Sequence, residues 1–131
     1  MAIRQFFYFG VVGIVGLFVD VFILYLLNPI FGPYISRVCS FIAAVFVTWL
    51  LNRTFTFKDR YSNFSILKEF FAYLSLMIVG GVANYACFVF LILYSKYVRD
   101  NMFIGVAAGS VVGMILNFTT SRFFLYKKKS V

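Results

Sequence analysis

Four apolar runs, each long enough to cross a bilayer and separated by little else, fill the sequence: roughly Phe6 to Leu27, Tyr34 to Phe57, Phe70 to Tyr94 and Phe103 to Tyr126. A helix rises about 1.5 Å per residue, so about 20 residues cross a hydrocarbon core of ~30 Å. Hydrocarbon offers no partner for a free backbone N–H or C=O, so a helix is the form such a run takes in lipid. Charged residues make up 12% of the chain, against about twice that in a soluble domain. That leaves too little polar surface to cover a globule in water. The chain is therefore predicted to be an all-α integral membrane protein, one transmembrane domain over residues 1–131 with four transmembrane helices. No small-residue cleavage pattern follows the first apolar run, which is read as a retained helix and not a signal peptide.

The net charge of +8 points to a membrane surface and not to nucleic acid, because the basic residues flank the apolar runs and form no stripe on a soluble face. Of the twelve Lys and Arg, nine fall on one side: Arg4, then Arg53, Lys58, Arg60 and Lys68, then Arg122 and Lys127 to Lys129. Arg37, Lys96 and Arg99 fall on the other. The positive-inside rule then places both termini and the central loop in the cytoplasm. Within that loop Tyr61, Phe64, Ile66 and Leu67 predict a short interfacial helix starting near Ser62 or Asn63. Cys39 and Cys87 lie inside apolar runs as small hydrophobes. The chain has no histidine, no paired-carboxylate signature and no glycine-rich phosphate loop, so no catalytic residue, metal or cofactor is expected.

The second half of the chain echoes the first. Arg4-Gln5-Phe6-Phe7 matches Lys68-Glu69-Phe70-Phe71, and the same shift of 64 residues carries Gly16 onto Gly80 and Asp20 onto Asn84. Near the ends of the second and fourth runs the shift is 69, which carries Arg53 onto Arg122, Phe55 onto Phe124 and Phe57 onto Tyr126. The five added residues fall in the second external loop or its flanks. Each half holds two helices, so both enter the membrane from the same side. The expectation is two parallel two-helix repeats, about residues 4–58 and 68–127, related by a pseudo-two-fold axis along the membrane normal. Gly105, Gly109 and Gly113, spaced by four, and Gly10, Gly13 and Gly16 predict close helix packing, within the bundle or at a dimer face.

Two sets of residues stand out as candidates for binding. Asp20 is the one acid predicted inside the membrane, ~21 Å along the first helix, and a carboxylate there is costly unless it faces the bundle interior. With its repeat mate Asn84, and with Asn52 and Asn117, it forms a set of polar groups able to hydrogen-bond sugar hydroxyls; Asp20 could equally take up a proton or join helices through one hydrogen bond. Arg4, Arg53, Lys68 and Arg122 form a repeated basic collar at the cytoplasmic interface. It suits a lipid phosphate, which guanidinium grips through two parallel hydrogen bonds, or serves topology and contact with anionic lipid.

The run Arg4-Gln5-Phe6-Phe7-Tyr8-Phe9-Gly10, Asp20, the stretch Leu51-Asn52-Arg53-Thr54-Phe55-Thr56-Phe57, and Asn117-Phe118 followed by Arg122-Phe123-Phe124-Leu125-Tyr126 resemble the GtrA-like family of small four-helix membrane proteins. The resemblance covers almost the whole chain and departs at Thr48, where the family often has Asn, and at the variable positions Asn84 and Ser121. It implies flipping of a polyprenyl-phosphate-linked sugar, typically undecaprenyl-phosphate-glucose, across the bacterial inner membrane for cell-surface polysaccharide or teichoic acid glycosylation. A companion glycosyltransferase would load the lipid, membrane lipids would surround the protein, and so few helices suggest a homo-oligomer. Two other readings stand beside it: a non-transporting anchor for a glycosyltransferase, and a small proton-coupled drug exporter built on Asp20. The parallel repeat and the basic collar, which repels cations, count against the exporter.

Overall fold

The chain first reverses at a single residue. Gly32 has φ 76° and ψ 173°, a left-handed φ that glycine alone adopts without strain, and it precedes Pro33, whose ring favours an extended residue before it. The first apolar run, expected to end near Leu27, stays helical to Gly32. The helix runs through Pro29 at the expense of one backbone hydrogen bond, which membrane helices tolerate. The computed structural model describes residues 1–128; Lys129, last of the terminal lysines, lies outside them.

Helix α1 covers Ala2–Gly32 and α2 Ile35–Thr56. The last turn of α2, Asn52–Thr56, is π-helical. A two-residue strand β1, Arg60–Tyr61, leads to α3, Ile66–Tyr94. Then come α4, Lys96–Asp100, and α5, Met102–Thr120, which runs into a second π turn, Ser121–Leu125. Strand β2, Lys127–Lys128, pairs antiparallel with β1. No separate interfacial helix forms in the central loop. Instead α3 begins at Ile66 beside Ser65 and carries Glu69 in its first turn, where the helix dipole favours an acid.

Among the described residues three helices are long and apolar enough to cross a membrane: α1, α2 and α3, with mean hydropathy 2.5, 1.6 and 2.3. Large apolar side chains such as Phe18, Phe22, Val82 and Phe90 are exposed along them. Contiguous exposure on this scale is what a lipid-facing surface looks like. The protein is a multi-pass, all-helical membrane protein.

α1 and α2 form one antiparallel pair, with Gly16 against Thr48. α3 and α5 form the other, tightly, with Gly80 against Asn117 and both Gly109 and Gly113 against the backbone of α3. The glycines spaced by four on α5 thus pack inside the bundle. α4 has five residues, the number by which the spacing between the halves grows. Its Val98 is buried and meets Gly105. The core gathers at the end holding both π turns: Phe9, Trp49, Phe57, Tyr73, Phe118, Leu125 and Tyr126.

Candidate functional site

A cavity of about 430 Å³ lies between the four long helices, and each contributes a polar side chain to its wall: Asp20 from α1, Asn52 from α2, Asn84 from α3 and Asn117 from α5. Thr48, Ser110 and Tyr73 add hydroxyl-bearing side chains to a wall that is otherwise apolar or glycine. All four polar residues expected from the sequence therefore share one space. The lining runs from Phe9 to Asp20 on α1 and from Tyr73 to Asn84 on α3, a length of about 17 Å on each helix. Gly13 and Gly81 face open space with no atom near enough to touch an added Cβ. They keep the cavity wide, a role different from the packing expected of Gly13.

The wall is built from matching positions in the two halves. Tyr73, Met77, Gly80, Gly81 and Asn84, moved back 64 residues, become Phe9, Gly13, Gly16, Leu17 and Asp20, and all of these line the cavity. Ser110, Gly113, Met114 and Asn117, moved back 69, become Phe41, Ala44, Val45 and Thr48, which line it too. The contacts Gly16–Thr48 and Gly80–Asn117 are related by the same two shifts.

Partners differ among the polar groups. Asn52 is buried and engaged on both sides: its Nδ2 donates to the Tyr73 hydroxyl at 2.8 Å and its Oδ1 accepts from Thr56 at 2.7 Å. The Asn117 Oδ1 is buried without a partner. Asp20 is not held by α3. Arg37 Nη1 on α2 lies 2.7 Å from each of its carboxylate oxygens. Arg37→Gln strands a mostly buried carboxylate and is expected to lower stability by about 1–3 kcal/mol. Adding Asp20→Asn should restore most of it in detergent thermal unfolding; equal losses in the single and double variants would rule out the pairing as the cause.

Below the cavity the aromatic core forms a partition. Phe9 faces the cavity and packs on Phe57 and Phe118 at ring distances of 6.2 and 5.7 Å. Phe57 stacks on Tyr126, its mate under the 69-residue shift, at 4.7 Å and 17°. On the other face of Phe57 and Tyr126 is a second chamber of about 340 Å³, lined also by Arg53, Thr54, Arg60, Tyr61, Ser62 and Glu69. Glu69 is its hub. Its Oε1 accepts from Trp49 Nε1 at 3.0 Å, Arg53 Nε at 3.1 Å and the Tyr126 hydroxyl at 2.8 Å. The corresponding groups in the other half, Gln5 Oε1 and Arg122 Nε, are buried without partners.

The four cations of the expected collar do not share one space. Arg53 lines the lower chamber. Arg4 pairs at 3.6 Å with Asp59 on the surface, and Lys68 is exposed. Arg122 sits over the rings of Phe118 and Phe123. Arg60, which the sequence did not single out for binding, stands beside Arg53 instead. Its Nη1 donates to the backbone oxygens of Arg122 and Tyr126 at 3.2 and 2.9 Å.

The family model described as GtrA/DPMS, transmembrane domain, matches residues 8–126. The chain belongs to this family. No curated protein sequence matches it. In this GtrA-family chain the Asn52-Arg53 and Ser121-Arg122 stretches coincide with the two π turns, closed by Phe57 N–H to Asn52 O and Tyr126 N–H to Ser121 O, both 2.8 Å. A π turn adds a residue to the helical ring, which sets Phe57 and Tyr126 inward while Arg53 remains half exposed. Glu69 is the group that sequence reasoning passed over. Its one trace was the polar position it shares with Gln5, ahead of Phe-Phe in both halves.

Proposed function

We propose that this GtrA-family protein moves a polyprenyl-phosphate-linked sugar across the bacterial cytoplasmic membrane for glycosylation of surface polysaccharide or teichoic acid. The observation that carries this reading is the cavity into which Asp20, Asn52, Asn84 and Asn117 converge from four helices. Its volume falls within the ~300–1,000 Å³ usual for small-molecule sites. An apolar wall with a few amides and hydroxyls suits a sugar, whose hydroxyls need donors and acceptors and whose ring faces are apolar. The polyprenyl chain stays in lipid against the exposed apolar helix faces, and the basic end receives the phosphate before it crosses with the sugar.

In this reading α5 is the fourth crossing, since its 19 residues rise about 28 Å. Both termini are cytoplasmic in this reading, which the charge count favours. The two halves are parallel repeats, which the matching positions in the cavity wall support. The aromatic partition lies on the cytoplasmic side of the cavity and must open for a sugar to enter from the arginine side. The protein performs no bond chemistry; a companion glycosyltransferase supplies the loaded lipid. One chain lines a whole cavity, so a dimer would carry two. The exporter reading fares worse, because Asp20 is already neutralised by Arg37 and is not a free cation site.

The test is transbilayer movement of a labelled short-chain polyprenyl-phosphate-glucose in liposomes. Wild-type protein is expected to move it well above the rate in empty liposomes, and Arg53→Gln/Arg122→Gln to lose most of that movement while still folding. Movement no faster than in empty liposomes, from correctly inserted wild type, would leave the anchoring role in its place.

A further inference from the structure

The lower chamber holds two guanidinium groups, each with one edge committed to the protein and another left over. Arg53 gives its Nε to Glu69, and among the described residues its two terminal nitrogens have no protein partner. Arg60 gives Nη1 to two backbone oxygens, while its Nε is buried without a partner. A buried charged N–H with no acceptor is rare and calls for a missing ligand or water. The terminal pair of Arg53 is the kind of fork that takes two oxygens of a phosphate in parallel, and the unpartnered Arg60 Nε, itself closed off from the chamber, marks a second cation there that lacks an acceptor.

The charges lining the chamber are Arg53, Arg60 and Glu69, one positive charge in excess. Partial burial, and then the charge of Arg122, hold the Arg60 guanidinium below its ordinary pKa, the mark of a cation lacking a counter-ion. Glu69 would repel an anion, yet its Oε1 already accepts from three donors, and it holds Arg53 in place. Counting the lining alone, with Arg122 acting from outside it, one excess positive charge matches a phosphodiester, which carries a single negative charge, better than a phosphomonoester, which carries about −1.5 to −2 at pH 7.

We infer that this chamber is a phosphodiester site, with Arg53 and Arg60 gripping the phosphate that joins lipid to sugar and Glu69 positioning Arg53. This deepens the proposed function and rests on it for the identity of the lipid. It selects the sugar-loaded carrier over the bare carrier phosphate at the membrane surface, before any movement occurs.

The chain supplies its own probe. Trp49 is the single tryptophan, and its Nε1 bonds Glu69 at 3.0 Å, so a ligand that draws on Arg53 perturbs its emission. Purified protein in maltoside micelles, which contain no phosphate, is titrated with farnesyl phosphoglucose, farnesyl phosphate, farnesol and phosphatidylglycerol, by Trp49 emission and by calorimetry. The expected result is saturable binding of the phosphoglucose, tighter than of farnesyl phosphate, with no response to farnesol. Arg60→Gln should weaken it by about tenfold or more, the loss of a charge-assisted pair of hydrogen bonds. Arg60→Lys, which keeps the charge but not the fork, should weaken it nearly as much. Lys58→Gln, which removes a nearby exposed charge, should leave it unchanged. Equal binding of farnesol, tighter binding of the monoester, or binding indifferent to both Arg60 variants would overturn the site. Arg60-dependent binding of phosphatidylglycerol alone would uphold the phosphodiester site and overturn its assignment to the polyprenyl lipid. Binding in micelles is read separately from movement, so a failed liposome assay leaves this site standing, and failed binding leaves the translocator reading standing.

Discussion

Glu69→Leu is expected to cost the folded state about 3–5 kcal/mol, the usual result of removing one side of a buried charged pair. The leucine leaves three donors without an acceptor: the indole of Trp49, Nε of Arg53 and the hydroxyl of Tyr126. These come from α2 and from the segment after α5, so one carboxylate on α3 ties together the end of each half. Glu69→Gln keeps an oxygen that can accept and loses the charge. Its loss should be smaller, about 1–2 kcal/mol. Denaturation followed by Trp49 emission measures both, since the same indole reports on the same contact. A Glu69→Leu protein that unfolds within about 0.5 kcal/mol of wild type would mean that Glu69 is not the hub, because surface-like substitutions stay within that margin.

Gly109→Ala is expected to be nearly as damaging, although it adds one carbon. A Cβ at Gly109 would lie 2.5 Å from the backbone oxygen of Asn84 and 2.5 Å from its Oδ1. A backbone oxygen cannot rotate away, so α3 and α5 must separate and lose contact along their length. Overpacking of this kind costs about 1–3 kcal/mol, and helices in lipid depend on close van der Waals contact with no hydrophobic drive to restore it. Gly81→Ala is the matched comparison. Its Cβ meets nothing within 4 Å, so stability should hold while the cavity narrows. Thermal unfolding of the two variants in one detergent decides the matter; equal losses would show that the α3–α5 seam is not the tight contact described.

These two glycines show where sequence reasoning stops. Gly81 and Gly109 both belong to small-residue patterns on apolar helices. One is pressed against a backbone and the other looks into a cavity. The rotation of each helix decides which, and low polarity all round a membrane helix leaves no amphipathic stripe from which to read that rotation. The central loop marks a similar boundary. Its apolar residues suggested an interfacial helix, but Ile66 and Leu67 start α3 itself, whose Glu69 reaches Trp49 and Tyr126, while Tyr61 lies in β1.

The sequence by itself determined the all-helical, multi-pass membrane class and carried the echo between the halves that recurs in the cavity wall. These follow from composition and spacing along one dimension, where the length of an apolar run is a direct consequence of the bilayer's thickness. It also named the four polar residues of the cavity, since a polar group in an apolar run has few places to go but inward. The tertiary structure decided how those groups are paired. Asp20 went to Arg37 and not to α3, and Arg60 took its place beside Arg53 while Arg4 and Lys68 stayed outside. Pairing depends on helix rotation, on the π turns and on the β1–β2 strap that brings the C-terminal segment back to the central loop. All three are set by packing between residues far apart in the chain, which no local pattern records.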